Sequence, residues 1–335
     1  MSEIPQTAGT SETADTSTMR ALIVTSMYPT AQRPAHGSFV RDQVRALQRL
    51  PGLELELFAF APGSPAAYLS AARTLHRSYR RTGHRPAPFD IVHAQFGLTA
   101  WPARAVPAAA HAVTLHGTDV AHPRSRAITL AALAVQDLVV TVSEPLRQQL
   151  PAWVRRVART TVVPAGVDVQ RFRPIPRRQA RRELGLRPNR PYLLFPADPR
   201  RPEKRYDRAR RLADDQRATL LALGNVEPER VPLYVNAVNA VLVPSEREGF
   251  GLAVLEALAC DVPVLATPVG IAPEALRGIA HTLCAPFELA PWRQALAPHL
   301  TDPDPPRIEG RARAVRYSSD TTAAKLAQAW GELLR

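Results

Sequence analysis

Short apolar runs alternate along the chain with stretches of helical periodicity, and most runs end in proline, glycine or polar residues. RALIVTSMYP (20–29) reads as a buried first strand. SFVRDQVRALQRL (38–50) then places Phe39, Val40, Val44 and Leu47 on one helical face. LELELFAFA (53–61) alternates and predicts a second strand, AAYLSAARTLHRSYRR (66–81) a basic amphipathic helix. FDIVHAQF (89–96), HAVTLHG (111–117) and DLVVTVS (137–143) predict buried strands, with a helix over 127–136 and another opening at EPLRQQLPAWV. TTVVPAGVD (160–168) closes this half. The Pro- and Arg-rich stretch 171–191 marks a link that carries a short helix. A second series begins at YLLFPAD (192–198), with a helix around 203–214, a strand over 218–224, a helix near 228–237 and a strand over 240–245. An apolar helix and VPVLATP (262–268) follow, and AVRYSSDTTAAKLAQAWGELL predicts an amphipathic C-terminal helix. Strands and helices spaced this way predict α/β architecture, with two open parallel sheets covered on both faces.

The helix after residue 251 is the least ordinary element. From Leu252 to Cys260 every residue is apolar except Glu256. An ionised carboxylate inside an apolar helix is costly unless a partner holds it. Glu248 stands eight positions earlier, followed by Gly249 and Gly251, which let backbone approach a ligand closely. The helix start offers free N–H groups and a positive dipole end, suited to a diphosphate. Glu256 is then placed to accept from a diol such as a ribose, and Glu248 from a further hydroxyl. The plainer alternative makes Glu248 a helix-terminus residue and Glu256 a buried structural acid.

The chain has 335 residues, enough for two domains, and no apolar run long enough to span a membrane. Residues 1–18, rich in Ser and Thr, have no secretory pattern and predict a disordered tail. Two cysteines, Cys260 and Cys284, lie in or beside apolar runs, which argues against a disulfide framework and for a reducing cytoplasm. The net charge is +13, and of 43 basic residues only Lys204 and Lys325 are lysines, leaving 41 arginines. Such a skew fits a genome-wide bias, with most arginines on a solvated surface. It also makes Lys204 stand out. Asp302 and Asp304 spell D-x-D in a proline-rich loop and read as solvated residues, and no Cys/His spacing suggests zinc. GFGLAV misses the third glycine of a dinucleotide fingerprint, so NAD is not expected.

PSEREGFGLAVLEALACDVPVLATPVG (244–270) resembles the E-x7-E donor motif of the retaining GT-B glycosyltransferases of family 4. YPTAQRPAHGSFV resembles that family's first glycine loop, VTLHGTD its histidine strand, and VVPAGVDVQRF the segment before its hinge. The resemblance covers most of residues 20–335. It implies two facing Rossmann-like domains, 19–172 on the acceptor side and 173–314 on the donor side, with a C-terminal helix of about 315–335 crossing back to the first. It also implies that Glu256 binds ribose hydroxyls and Glu248 the donor sugar. Backbone N–H groups of Phe250, Gly251 and Leu252 would face sugar and diphosphate, with Gly249 also donor-binding and Gly37 lining the diphosphate from the other domain. His116 would stand at the sugar's reactive face, and Asp119 would orient it or cap the next helix. Lys204 matches a family lysine that neutralises the leaving diphosphate. The arginine that accompanies it is displaced in FPADPRRPEKRYD, which leaves Arg200 or Arg201 to substitute. A strand and helix before LGNVEPERVPLYVNA are partly deleted relative to the family. Asp261 stands where the family often has glycine and tolerates a left-handed backbone.

The function implied is transfer of a sugar from a UDP- or GDP-sugar to a hydroxyl of a glycan, lipid-linked or small-molecule acceptor, with retention and without metal or cofactor. A non-hydrolysing nucleotide-sugar epimerase of the same architecture is the first alternative. A non-catalytic basic protein binding polyanions or membrane is the second. The basic helix at 69–85 supports only peripheral contact with an acidic membrane, at the inner face of the cell membrane where a lipid-linked acceptor would lie, and nucleic acid is not expected as a partner.

Overall fold

A computed structural model describes residues 18–80 and 89–335, apart from positions 122, 225 and 303. The tail expected at 1–18 and the end of the basic helix fall almost wholly outside the described residues. The first domain contains β1 (Met19–Thr25), β2 (Leu53–Ala59), β3 (Phe89–Gln95), β4 (Ala108–Leu115), β5 (Leu138–Thr141) and β6 (Arg159–Val162). They form one parallel sheet in the order β2-β1-β3-β4-β5-β6. The second contains β7 (Tyr192–Phe195), β8 (Thr219–Ala222), β9 (Ala240–Val243), β10 (Val264–Ala266) and β11 (Leu283–Cys284), parallel in the order β11-β10-β9-β7-β8. The central strands are apolar and buried on both faces, as helix-covered parallel strands must be.

In both sheets the order reverses beside the first strand, and the crevice at such a switch point is where open α/β sheets take ligands. Among the described residues the second sheet has one strand fewer than the first, and the next helix or strand after β8 is the Val231–Ala237 helix, followed by β9.

Several elements depart from the periodicity. The helix expected from Glu144 is split into Glu144–Gln148 and Val154–Val157, because Pro151 lies between them. The Leu289–Leu300 helix and the two-residue β11 have no counterpart in the sequence reading. Pro298 and scattered polar residues blur that helix's face, and two residues show no alternation. Asp261 does adopt the left-handed conformation, at φ 54°. Its carboxylate accepts from the N–H groups of Gly310 (2.9 Å) and Arg311 (2.7 Å), closing the start of the Arg311–Val315 helix.

The C-terminal helix, Ser319–Leu334, leaves the second domain and packs on the Ser38–Leu47 helix of the first. Its fully buried Trp330 donates from Nε1 to Nδ1 of His93 on β3 (3.0 Å). His93 therefore carries its hydrogen on Nε2 and donates it to Thr114 Oγ1 (2.7 Å). Burial holds this imidazole neutral, with its pKa lowered to about 3. At the crossing, Val167 donates to the Tyr317 carbonyl and Ser319 donates back to Val167, each at 2.9 Å.

Not all arginines are surface cations. Arg311 donates to the carbonyls of Val169 (2.8 Å), Phe172 (2.9 Å) and Ala259 (2.7 Å). Arg307 donates to those of Cys260, Ile175 and Asn236. Both chain crossings are thereby fastened to the second domain. Arg177 is buried and pairs with Asp304, so half of the D-x-D pair has a structural partner.

Candidate active site

The carboxyl ends of the two sheets face each other across a cleft of about 540 Å³. Residues of both domains line it, among them Gly37, His116, Lys204, Glu248, Gly251 and Glu256. A second hollow of about 630 Å³ continues it outward past Gly117, Ser143, Leu146 and Arg247.

Two helices aim their first turns into the inner cleft. Gly37, at φ 70°, starts the Ser38–Leu47 helix, and a Cβ there would overlap the Met27 carbonyl. Gly251, at φ 94°, starts the Leu252–Ala259 helix from the opposite domain. First-turn N–H groups have no helical acceptor, and each helix start carries a partial positive charge. Two such ends on one cleft build an anion site from backbone alone.

Gly249 marks a close backbone approach between the domains, since a Cβ there would overlap the His116 carbonyl. A further tie lies behind the cleft, where Arg41 Nη1 reaches Glu229 Oε1 at 2.8 Å. Its neighbour Asp42, in the same helix, pairs with Arg171 in the link.

His116 directly follows β4, and its Nε2 lies 2.9 Å from Oε1 of Gln95, at the end of β3. Gln95 commits its own NH2 to Gln43 Oε1 (2.7 Å), so its carbonyl oxygen accepts from His116. That leaves Nδ1 of His116 as a hydrogen-bond acceptor. Desolvation lowers the imidazole's pKa to about 4, so it is neutral at physiological pH. Phe39 packs edge-on against the ring at 5.1 Å. Asp119 does not touch the imidazole. Its carboxylate accepts from the backbone N–H groups of His116 (3.0 Å), Gly117 (2.9 Å) and Gly97 (3.3 Å), fixing the loop rather than the ring.

Lys204 and Glu248 form an ion pair, and Ser245 Oγ donates to the other carboxylate oxygen of Glu248 at 2.7 Å. Glu256 has no hydrogen bond or ion pair among the described residues, and its half-buried side chain meets the cleft. Desolvation raises its pKa to about 7. Arg171 pulls it down and Asp42 pushes it up. Of the two arginine candidates, Arg201 lines the cleft, paired with Glu203. Arg200 is exposed, pairs with Asp198 and does not line either hollow.

Of the expected residues, the structure gathers His116, Lys204, Arg201, Gly37, Glu248, Gly249, Phe250, Gly251, Leu252 and Glu256 on one cleft. It sets Arg200 and the Asp119 side chain aside. Gln95 and Ser245 escape the sequence reading, although Gln95 had one signal, its place at the carboxyl end of a strand beside the switch point. The arrangement is suited to an anion flanked by hydroxyl-bearing groups, with a neutral imidazole as acceptor nearby.

Two family models match the chain: Glycosyltransferase Family 4 over residues 21–171 and Glycosyl transferases group 1 over residues 199–306. A D-inositol 3-phosphate glycosyltransferase of Mycolicibacterium paratuberculosis is 31% identical, the match covering 92% of this chain and 79% of that protein. One from Actinosynnema mirum is also 31% identical, over 74% of each chain. Among solved structures, a sucrose-phosphate synthase from Thermosynechococcus elongatus superposes with a TM-score of 0.70 at 19% identity, covering 94% of this chain and 99% of that one. Anabaena HepE, solved with UDP and glucose, superposes at 0.64 and 16% identity, covering 94% and 100%. The chain belongs to the family 4 glycosyltransferases, and its two domains have the GT-B fold. It is a glycosyltransferase, which sets the non-catalytic reading aside.

Proposed function

We propose that the protein moves a glycosyl unit from a nucleoside-diphosphate sugar to an acceptor hydroxyl, with retention of configuration. The observation that carries this reading is the convergence of two helix starts, Lys204 and Glu256 on one interdomain cleft. HepE was solved with UDP and glucose, which supports a UDP-sugar as the first donor to test. The relatives' names support a cyclitol or other small polyol as one acceptor class.

In this reading the diphosphate lies between the starts of the Ser38–Leu47 and Leu252–Ala259 helices. Glu256 accepts from the ribose diol, which supplies the partner its apolar helix withholds. Arrival of the donor exchanges the Lys204–Glu248 pair for two new contacts. Lys204 turns to the diphosphate and Glu248 to the sugar hydroxyls. Negative charge grows on the diphosphate as the glycosidic bond breaks, so Lys204, Arg201 and the helix starts stabilise the transition state more than the ground state. Nδ1 of His116 accepts from a donor-sugar hydroxyl near the reacting carbon. The acceptor enters through the outer hollow, and its hydroxyl attacks from the face the diphosphate leaves, passing its proton to the departing diphosphate oxygen. Close approach of Gly249 to His116 excludes water and limits donor hydrolysis. No metal ion has a role in this scheme.

A thermal-shift panel of UDP-, GDP- and ADP-sugars tests the donor, since a ligand that binds the folded state raises its stability. NMR of the product's anomeric centre tests retention. Donor incubated without acceptor tests the epimerase alternative, which predicts an epimer. The exposed Arg73, His76 and Arg77 of the Pro65–Tyr79 helix are the proposed contacts to an acidic membrane. Co-sedimentation with anionic but not neutral vesicles is the expected result.

A further inference from the structure

The inner cleft contains a second imidazole that the scheme above leaves unused. His36 lines it immediately before Gly37, at the mouth of the Ser38–Leu47 helix. Its Nε2 lies 3.2 Å from the carbonyl oxygen of Ser26. A carbonyl only accepts, so Nε2 carries a hydrogen and the ring is anchored through it. Nδ1 has no partner among the described residues.

The charge around this ring makes it more than a spacer. The cations that line the inner cleft are already matched by acids, Lys204 by Glu248 and Arg201 by Glu203. Arg200, the other candidate for the displaced arginine, is held outside by Asp198. A nucleoside diphosphate brings negative charge into a cleft whose two other cations each have an acidic partner to leave. The adjacent helix start adds partial charge but no full one.

We infer that His36 is a diphosphate-binding residue, and that it adds from the first domain a cationic donor to those that Lys204 and Arg201 supply from the second. When the anion arrives, the ring takes a proton from solvent at Nδ1 and donates it in a hydrogen bond to a diphosphate oxygen. It stays anchored to Ser26 through Nε2–H and returns the proton when the diphosphate leaves. No covalent bond to the ring forms or breaks. The ionisable groups sharing this cavity are Lys204, Arg201, Glu248, Glu256 and His116, and none of them belongs to the segment that carries His36. The inference rests on the nucleotide-sugar reading of the cleft.

The test is calorimetric binding of UDP, GDP and ADP, each against its own nucleoside, to wild type, His36→Ala and His36→Gln. A charge-assisted hydrogen bond predicts about ten- to a hundredfold weaker diphosphate binding for His36→Ala. Nucleoside affinity is expected to stay unchanged. His36→Gln keeps a donor for the Ser26 carbonyl but cannot become cationic. It should bind the diphosphate more weakly than wild type and take up fewer protons on binding when buffers of different ionisation enthalpy are compared. Wild-type diphosphate affinity in both variants overturns the assignment, and so does an equal loss for nucleoside and diphosphate, which marks a collapsed loop. If wild type binds none of the three diphosphates, the donor reading itself fails and this assignment falls with it.

Discussion

Replacing Glu256 by Gln should make the unliganded protein more stable above neutral pH while weakening its hold on a nucleotide. The Leu252–Ala259 helix strips hydration from this carboxylate and, among the described residues, offers no donor in return. Its pKa is raised from an ordinary 4.5 to about 7, chiefly by that desolvation. The difference corresponds to about 3 kcal/mol between charged and neutral forms. Below pH 4.5 the carboxyl is protonated whether the chain is folded or not, and nothing is lost. Between 4.5 and 7 the unfolded chain releases its proton while the folded one keeps it, so stability falls as pH rises. Above 7 the folded protein holds the buried charge and the full penalty applies. Gln is neutral throughout and of similar size. Urea denaturation followed by circular dichroism at pH 4.5 and pH 8 should therefore show the variant level with wild type at the lower pH. At the higher pH it should lead by about 3 kcal/mol. The same variant should bind nucleoside diphosphate and nucleoside more weakly, because a carboxylate accepts from both hydroxyls of a diol and an amide does not. A stability gap that is the same at both pH values would refute the reasoning.

Lys204→Ala should lower turnover by orders of magnitude, while Arg200→Ala, which removes only an exposed pair with Asp198, should stay near wild type. Steady-state kinetics of the two variants side by side will check this. Gly249→Ala should lower kcat, because its Cβ would overlap the His116 carbonyl in the domain arrangement this structure holds. Stopped-flow ligand binding beside the kinetics separates closure from chemistry. Trp330→Phe leaves Nδ1 of buried His93 without a donor and should cost about 1–3 kcal/mol, seen as a lower melting temperature.

Much of this fold is legible because buried parallel strands are short, apolar and sharply ended. The runs at 20–29, 89–96 and 240–245 each supply a strand close to its expected limits. Glu248, Gly251 and Glu256 are legible for a local reason: their spacing and one buried helix define their arrangement. Gln95 and His116 are 21 residues apart and meet because β3 and β4 pair, which no local pattern encodes. Lys204 and Glu248 meet across 44 residues for a similar reason. Arg307 and Arg311 were hidden by composition. In a chain so rich in arginine, two that bind backbone carbonyls at the crossings look like any others.

The helix that returns to the first domain has a consequence for anyone cutting or recombining this chain. A fragment stopped at residue 172 lacks Trp330 and the rest of the Ser319–Leu334 helix, so the surface over His93 and the Ser38–Leu47 helix is left bare. Such a fragment should be rescued by the missing helix supplied as a separate peptide. An exchange of donor specificity with a relative therefore needs two junctions. One lies before Val169 and the other after Arg311, so that the arginine fastenings move with the transplanted domain and the last helix stays with its host.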